Sequence, residues 1–210
     1  FETDIVPETY KVDLSNKGQV EDFIGYLKDN NIGVDILINN SGGPKAGNIF
    51  EVDTADWDLA IQGNFLSHVQ LTKHCLINMQ SKEWGRIINI TSTLASEPTA
   101  GMTISASVRA SMSAFSKAVS DTVCKQGISI NTICPGGIET ERLQNLVSAQ
   151  ADKAGESYET TLNRSAASIP KGRFGLPDEL ASLAEYLCCE EAEYITGRTI
   201  AFDGSLMRGF

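Results

Sequence analysis

The pattern of apolar and polar positions along this chain first predicts a series of strands. Short, mainly apolar runs predict strands that are buried on both faces, as in parallel sheets; they lie at residues 35–39, 86–91 and 128–134. Two further segments, residues 9–13 and 199–202, are also predicted to be strands. The predicted strands are well separated along the chain, which leaves room for helical connections between them.

Between the strands, apolar residues recur at the three- and four-residue spacing of amphipathic helices. Helices are predicted over residues 16–30, 54–80, 103–125 and 177–189, and the second of these ranges holds one long helix or two. Thr54 is the predicted cap of that range. Strands that alternate with helices predict an α/β fold, a doubly wound parallel sheet with helices on both faces in three layers.

Residues 141–170 interrupt this alternation. They are polar, rich in alanine and helix-prone, and they contain no apolar run that predicts a strand. The segment follows a predicted strand and therefore lies at the carboxyl end of the sheet, where ligands bind in open α/β folds. We expect it to form a lid over the substrate, although a pair of solvated surface helices would have the same pattern.

Composition narrows the possible partners. The chain has 210 residues, enough for one domain, and a net charge of -10, which disfavours nucleic acid as a partner. No apolar run approaches the ~20 residues that cross a bilayer, so we expect no membrane association. The five cysteines follow no C-x-x-C or zinc pattern. Reduced thiols, a cytoplasmic location and the absence of a metal site are the expectations.

Three segments carry a family resemblance. They are Val-Asp-Ile-Leu-Ile-Asn-Asn-Ser-Gly-Gly at 34–43, Gly-Arg-Ile-Ile-Asn-Ile-Thr-Ser at 85–92 and Cys-Pro-Gly-Gly-Ile-Glu-Thr at 134–140. In this order and spacing they resemble the short-chain dehydrogenase/reductase family, in particular its 3-oxoacyl-acyl-carrier-protein-reductase-like branch. The resemblance implies a Rossmann-like domain over residues 1–210. It also implies an NAD(P)-dependent oxidoreductase that reduces a carbonyl, such as a 3-oxoacyl thioester, or oxidises an alcohol.

The same resemblance implies how a dinucleotide would be held. Asp13 and Leu14 match the pair that contacts adenine, although a lone aspartate at a strand end is also a common turn former. The glycine-containing turn after residues 35–39 would let the backbone approach the cofactor. The sequence leaves the choice between NAD and NADP open. The implied cofactor contacts are Asp13, Leu14, Asn40, Ser41, Gly42, Ile90, Arg109, Pro135, Gly136, Ile138 and Thr140.

The implied catalytic residues are Asn64, Ser92, Ser105 and Arg109, and the last two depart from the family. The family places a tyrosine thirteen residues after the serine matched by Ser92 and a lysine four residues later, and these positions are Ser105 and Arg109 here. Arginine keeps a permanent cation. Serine, however, is a far weaker acid than a phenol, whose ordinary pKa is about 10. A water, Arg109 or a residue of the lid such as Tyr158 would have to replace the acid.

Three interpretations of this altered centre follow. The first is a divergent oxidoreductase, the second is a catalytically weak or inactive protein that binds a dinucleotide or metabolite, and the third is a scaffold. His68, four residues after Asn64, is expected to be structural rather than catalytic. In the family, two long helices pair between subunits. Residues 54–80 and 103–125, the second with Ala106, Ala110, Ala114 and Ala118 at four-residue spacing, therefore imply a homotetramer or dimer.

The start of the chain carries one further expectation. The family begins with a strand, a glycine-rich turn and a helix whose N-terminus holds the cofactor pyrophosphate. No glycine-rich turn precedes Asp13. We therefore expect the first βαβ unit to be absent from this chain. We favour its removal or disorder over a protein that never had it.

Overall fold

A computed structural model of the chain describes residues 7–209. The described residues contain one sheet of four strands, all parallel and paired in chain order. They are β1 (Ile36–Asn39), β2 (Gly85–Ile90), β3 (Ile128–Pro135) and β4 (Thr199–Phe202). The predicted parallel sheet is confirmed. The first six residues, part of the stretch in which the sequence has no glycine-rich turn, lie outside the described range.

Seven α-helices of the described chain surround this sheet. Three predicted helices are confirmed to within two residues at each end, and the N-cap Asn16 accepts a hydrogen bond from the backbone N–H of Gln19 in the first of them. The helices are α1 (Lys17–Asp29), α2 (Thr54–Ile61), α3 (Ser67–Lys82), α4 (Thr103–Val123), α5 (Glu141–Ala154), α6 (Tyr158–Ala167) and α7 (Pro177–Cys188).

The two faces of the sheet carry separate apolar cores, as a three-layer fold requires. On one face, Ile87 of β2 packs with Cys75 and Met79 of α3 and with Val123 of α4. On the other face, the next residue of β2, Ile88, packs with residues of α7, including Leu187. Successive residues of a strand point to opposite faces, so one strand contributes to both cores. The Rossmann-like three-layer prediction is therefore confirmed.

Two predictions about the edge of the sheet are wrong. Residues 9–13 form no strand, because they find no backbone partner among the described strands. The run at 35–39 was expected to be covered on both faces, but Ile36 and Ile38 of β1 are 45% and 49% exposed. Among the strands of residues 7–209, β1 pairs with β2 alone and lies at the edge, and the flanking helices cover its neighbours better than they cover β1 itself.

The prediction for residues 54–80 also needs correction. Thr54 is not the cap but the first helical residue. The cap is Asp53, whose extended backbone lets its carboxylate accept from the backbone N–H of Asp56, while the Asp56 carboxylate accepts from the N–H of Asp53. One turn of π-helix, Gln62–Leu66, separates α2 from α3. Such turns insert one extra residue into a helix and are frequent at functional sites.

The segment 141–170 is helical, as predicted. It forms α5 and α6, and Val147 and Ala151 of α5 are buried. All five cysteines are free thiols. The described residues bring together no group of three or more histidine, cysteine, aspartate or glutamate side chains that could hold a metal ion. None of the helices described here combines the length and the apolar character that a membrane crossing needs.

Candidate functional site

A chain of buried polar side chains joins the strands beneath the site. Asn39, at the end of β1, donates from Nδ2 to Oδ1 of Asn89 in β2 at 2.7 Å. Asn89 in turn donates to Oγ of Ser116 in α4 at 2.8 Å, and Ser116 also bonds Thr132 of β3 at 2.9 Å. Buried polar groups are costly unless paired, so this chain holds three strands and α4 in one arrangement. The side-chain amides of Asn39 and Asn89 thus cross-link neighbouring strands.

The first cavity lies at the carboxyl end of β1 and has a volume of about 380 Å³. Its walls include five residues that the sequence analysis selected: Asp13, Leu14, Ser41, Gly42 and Asn64. Asn64 belongs to the π turn and donates from Nδ2 to Oγ of Ser41 at 2.7 Å and to the carbonyl of Gly42 at 2.6 Å. This amide fixes the turn that follows β1.

Each of the three charged side chains that line the first cavity has a partner. Asp13 accepts from the hydroxyl and the backbone N–H of Ser15, and these bonds lower the pKa of the Asp13 carboxyl. Lys45 pairs with Asp56 at 2.6 Å. That bond lowers the pKa of Asp56 and raises the pKa of Lys45.

The second cavity, which we call the arginine cavity, lies at the ends of β2 and β3 under α5 and has a volume of about 180 Å³. Most of the residues predicted for catalysis and for the carboxamide side of a cofactor meet here. Those that line it are Ser92, Ser105, Arg109, Pro135, Gly136, Ile138 and Thr140. The structure thus brings together segments that are far apart in the sequence.

Arg109 extends from α4 to the end of β2. Its Nη1 donates to the carbonyl oxygens of Ile90 and Thr91, which places Ile90 beside the cavity rather than in its wall. Burial lowers the pKa of the Arg109 guanidinium to about 10, with a further contribution from the positive charge of Arg142. Arg109 is therefore a partly desolvated cation at the predicted position.

Arg142 is a residue that the sequence analysis did not select. It lies in the first turn of α5 and donates to the carbonyls of Gly43 at 3.1 Å and Pro44 at 3.2 Å, in the turn after β1. These partners are 99 and 98 residues away in the sequence. Its only sequence signal is its position two residues after Thr140 at the start of the predicted lid.

The two serines of the arginine cavity differ in exposure. Ser105 is 2% exposed, and Ser92 is half-buried, with its Oγ accepting from the backbone N–H of Leu94 at 3.2 Å. Tyr158, considered as a replacement acid, is 40% exposed at the start of α6 and does not line the cavity. The groups with acidic protons that line the cavity are therefore the serine and threonine hydroxyls and the two guanidinium groups.

The remaining predicted residue, Asn40, lines a neighbouring cavity of about 250 Å³ together with His68. His68 is 3% exposed, and its Nε2 has no hydrogen-bond partner among residues 7–209. Burial, with a smaller contribution from the charge of Arg109, lowers the pKa of His68 to about 4. A neutral imidazole at this depth fits the structural role that was expected for it.

Comparison with known proteins identifies the family. A family model described as enoyl-(acyl carrier protein) reductase matches residues 2–206. The 3-oxoacyl-(acyl-carrier-protein) reductase of Vibrio cholerae is 32% identical over 195 residues, which cover 93% of this chain and 75% of that protein. The chain belongs to the short-chain dehydrogenase/reductase family. The D-beta-hydroxybutyrate dehydrogenase of Cupriavidus necator is likewise 32% identical, over 91% of this chain and 75% of that protein.

A solved structure supports the same assignment. The structure of this chain resembles that of YwfH, an NADPH-dependent reductase involved in bacilysin biosynthesis, with a TM-score of 0.86 and 29% sequence identity. The match covers 94% of this chain and 76% of YwfH. The fold described above is thus shared with a reductase of known structure.

The walls of the first cavity suit a dinucleotide of the kind that short-chain dehydrogenases/reductases bind. A Cβ built on Gly42 would meet no atom within 4 Å and would project into open space. The backbone after β1 is therefore accessible to a ligand at close range. At the arginine cavity, the N-cap Thr140 makes no side-chain capping bond to α5, which leaves the first N–H groups of this helix available to an anion.

Proposed function

We propose that this protein is an NAD(P)-dependent oxidoreductase of the short-chain type, which reduces a carbonyl or oxidises an alcohol of a small molecule. The observation that carries the proposal is the meeting of Ser92, Ser105 and Arg109 with the 135–140 segment in one cavity at the carboxyl end of a parallel sheet. Ligands bind at this edge in open α/β folds. A 3-oxoacyl thioester or a related 3-oxo or 3-hydroxy compound is the proposed substrate class, in line with the names of the relatives.

NAD or NADP is the proposed cofactor. Asp13 and Leu14 would hold the adenine half in the first cavity, and Ser41 and Gly42 would contact the middle of the dinucleotide. Pro135, Gly136, Ile138 and Thr140 would hold the carboxamide and phosphate side, with Asn40 and Ile90 beside them. When bound, a nicotinamide supplies or accepts the hydride. The similarity to an NADPH-dependent reductase supports this class of cofactor.

The chain's own residues would then position the carbonyl and move the proton. Ser92 would donate a hydrogen bond to the substrate oxygen, and Asn64 would belong to the proton relay of the family. Ser105 and Arg109 occupy the positions of the family's tyrosine and lysine. Arg109 keeps a positive charge there, so a water bound beside Ser105 and Arg109 is the proposed source of the proton.

A second candidate function rests on the same cavity. The titratable side chains that line it are Arg109 and Arg142, two guanidinium groups that stay positively charged at neutral pH. Acid catalysis is most effective when the pKa lies near the working pH. This observation favours a catalytically weak or inactive protein that binds a dinucleotide or metabolite. Measurement of activity separates the two candidates.

Restoring the family's pair of side chains tests the catalytic proposal. We expect Ser105→Tyr with Arg109→Lys to raise the rate of NAD(P)H-dependent reduction of acetoacetyl thioesters at least about tenfold, because a positioned general acid contributes roughly 10²–10⁴-fold. The matched control is Ser107→Tyr with Arg109→Lys, since Ser107 lies exposed on the same helix. A double variant that binds cofactor normally without any gain in rate would contradict the proposal.

We also propose a homo-oligomer, a lid role for residues 141–170, and a cytoplasmic location. Ala114 and Ala118 of α4 are exposed, so they are available to pack against another copy rather than against the chain's own sheet. Arg142, Leu143 and Leu146 of α5 line the arginine cavity, as a lid over it would. Free cysteines are typical of reducing compartments. Light scattering of wild type and Ala114→Glu tests the assembly, since only an interface residue should give smaller species.

A further inference from the structure

The arginine cavity contains two cations that are not neutralised. Arg109, which is half-buried, and Arg142, which is exposed to solvent, both line it, and no aspartate or glutamate among the described residues does so. The nearest carboxylates in sequence, Glu139 and Glu141, are exposed and outside the cavity wall. The chain carries a net charge of -10, so acidic residues are abundant elsewhere. The cavity is a positively charged pocket in an acidic protein.

Three other arginines of the described chain have different surroundings. Arg173 binds the carboxylate of Glu179 through both Nη atoms, at 2.8 Å and 2.6 Å, and Arg164 binds Glu156. Arg86 is fully buried, stacks on the Trp84 ring at 4.6 Å and donates to two carbonyls. Arg109 and Arg142 differ from Arg164 and Arg173 because their partners within residues 7–209 are neutral backbone carbonyls, and they differ from Arg86 because they share one cavity.

Both guanidinium groups keep unused donors. A guanidinium has five N–H groups. In the described residues Arg109 donates through Nη1 alone, and Arg142 donates once from each Nη. The charge of Arg142 also lowers the pKa of Arg109, as expected for two close cations that lack an anion between them. An oxyanion placed between them would relieve this repulsion and accept the free donors.

We propose that Arg109 and Arg142 together bind an oxyanion, a carboxylate or phosphate group of the molecule on which this protein acts. The volume of about 180 Å³ is below the roughly 300–1,000 Å³ of sites for drug-sized ligands, so a small anionic compound fits best. The inference rests on the proposed function for naming this compound a substrate. It narrows the substrate class to carbonyl or hydroxy compounds that carry a negative charge close to the reacting carbon.

Calorimetry without cofactor tests the binding directly, so an inactive enzyme would not obscure the result. The probes are acetoacetate and its neutral counterpart acetoacetamide, each titrated into the wild-type chain, with inorganic phosphate as a third probe. We expect acetoacetate to bind at least about tenfold more tightly than acetoacetamide. Arg142→Gln should erase this difference. The control Arg164→Gln, in the same lid segment but paired with Glu156, should preserve it.

The outcomes distinguish the source of the oxyanion. Preference for acetoacetate, lost in Arg142→Gln, supports a substrate carboxylate. Tight binding of inorganic phosphate that is lost in Arg142→Gln, with no preference for acetoacetate, supports the phosphate group of a phosphorylated substrate. Equal binding of all three probes, or a preference that survives in both Arg142→Gln and Arg109→Gln, overturns the proposal. If the proposed function is wrong but the anion site is real, the protein shows no turnover with NAD(P)H, while its preference for acetoacetate over acetoacetamide remains.

Discussion

The two cavities at the edge of the sheet have opposite electrostatic designs. In the first cavity, Asp13 pairs with Ser15, and Lys45 pairs with Asp56. In the arginine cavity, Arg109 and Arg142 lie against neutral carbonyls, and burial lowers the pKa of both. The first cavity is satisfied by the fold itself. The second leaves positive charge that the fold does not neutralise.

This contrast separates structural from functional polarity. Polar groups that stabilise a fold find their partners within it, because an unpaired buried group costs free energy. A site that binds a charged ligand must keep hydrogen-bond donors free for that ligand. The folded protein is therefore less stable without the ligand than with it. We expect substitutions of the paired groups at the first cavity to lower stability as well as cofactor binding, and those at the arginine cavity to affect mainly ligand binding.

The largest expected effect lies at His68, whose pKa is lowered mainly by burial and to a smaller extent by the charge of Arg109. Its pKa is about 4 in the folded chain and about 6.5 when unfolded, so the unfolded state binds more protons between these values. Stability should therefore fall as the pH drops from 6.5 towards 4, by about 3 kcal/mol from this residue. His68→Leu should remove this part of the pH dependence in urea denaturation.

A matched control is available for that measurement. His74 lies on the same helix and is less buried, and burial lowers its pKa as well. His74→Leu should retain most of the wild-type loss of stability between pH 6.5 and 4. If His68→Leu and wild type lost the same free energy over this range, the buried neutral state of His68 would be ruled out. Raised stability of wild type at pH 4 would also contradict the sign.

The sequence predicted those features that depend on local pattern. Apolar runs located β2 and β3 to within one residue, because a central strand of a parallel sheet is buried on both faces. The order of the family motifs in the sequence predicted the site residues, and seven of the predicted residues line the arginine cavity. The same reasoning failed at β1, because whether an apolar run lies at the centre or the edge depends on its neighbours.

The features that were missed depend on contacts between distant segments. Arg142 donates a hydrogen bond to the turn after β1, 99 residues away in the sequence, and no local sequence pattern predicts this contact. Asp53 and Thr54 are both good capping residues, and only the backbone angles decide that Asp53 caps α2. No characteristic amino-acid composition marks the π turn at Gln62–Leu66. Each of these is set by tertiary packing rather than by propensity.

A smaller effect is expected for Asn64, which organises the first cavity. Asn64→Leu removes two hydrogen bonds, to Ser41 and to the carbonyl of Gly42, and should cost about 1–2 kcal/mol, or roughly 3–6 °C in Tm. The control is Asn145→Leu at an exposed position of α5, where a change within about 0.5 kcal/mol is expected. Equal melting temperatures for the two variants would show that Asn64 has no structural role in this cavity.

The smallest effect is expected at the Lys45–Asp56 pair, which is largely exposed on its lysine side. Lys45→Met removes the ion pair but leaves the Asp56 carboxylate its capping bond to the N–H of Asp53. Exposed pairs contribute little to stability, so Tm should change by no more than about 2 °C. The pKa of Asp56, which Lys45 lowers, should rise towards its ordinary value in a carboxyl NMR titration. A large loss of stability would mean that the first cavity depends on this ion pair more than its exposure suggests. An unchanged Asp56 pKa would mean that Lys45 does not neutralise Asp56. In either case the two cavities would differ less in how fully their charges are neutralised.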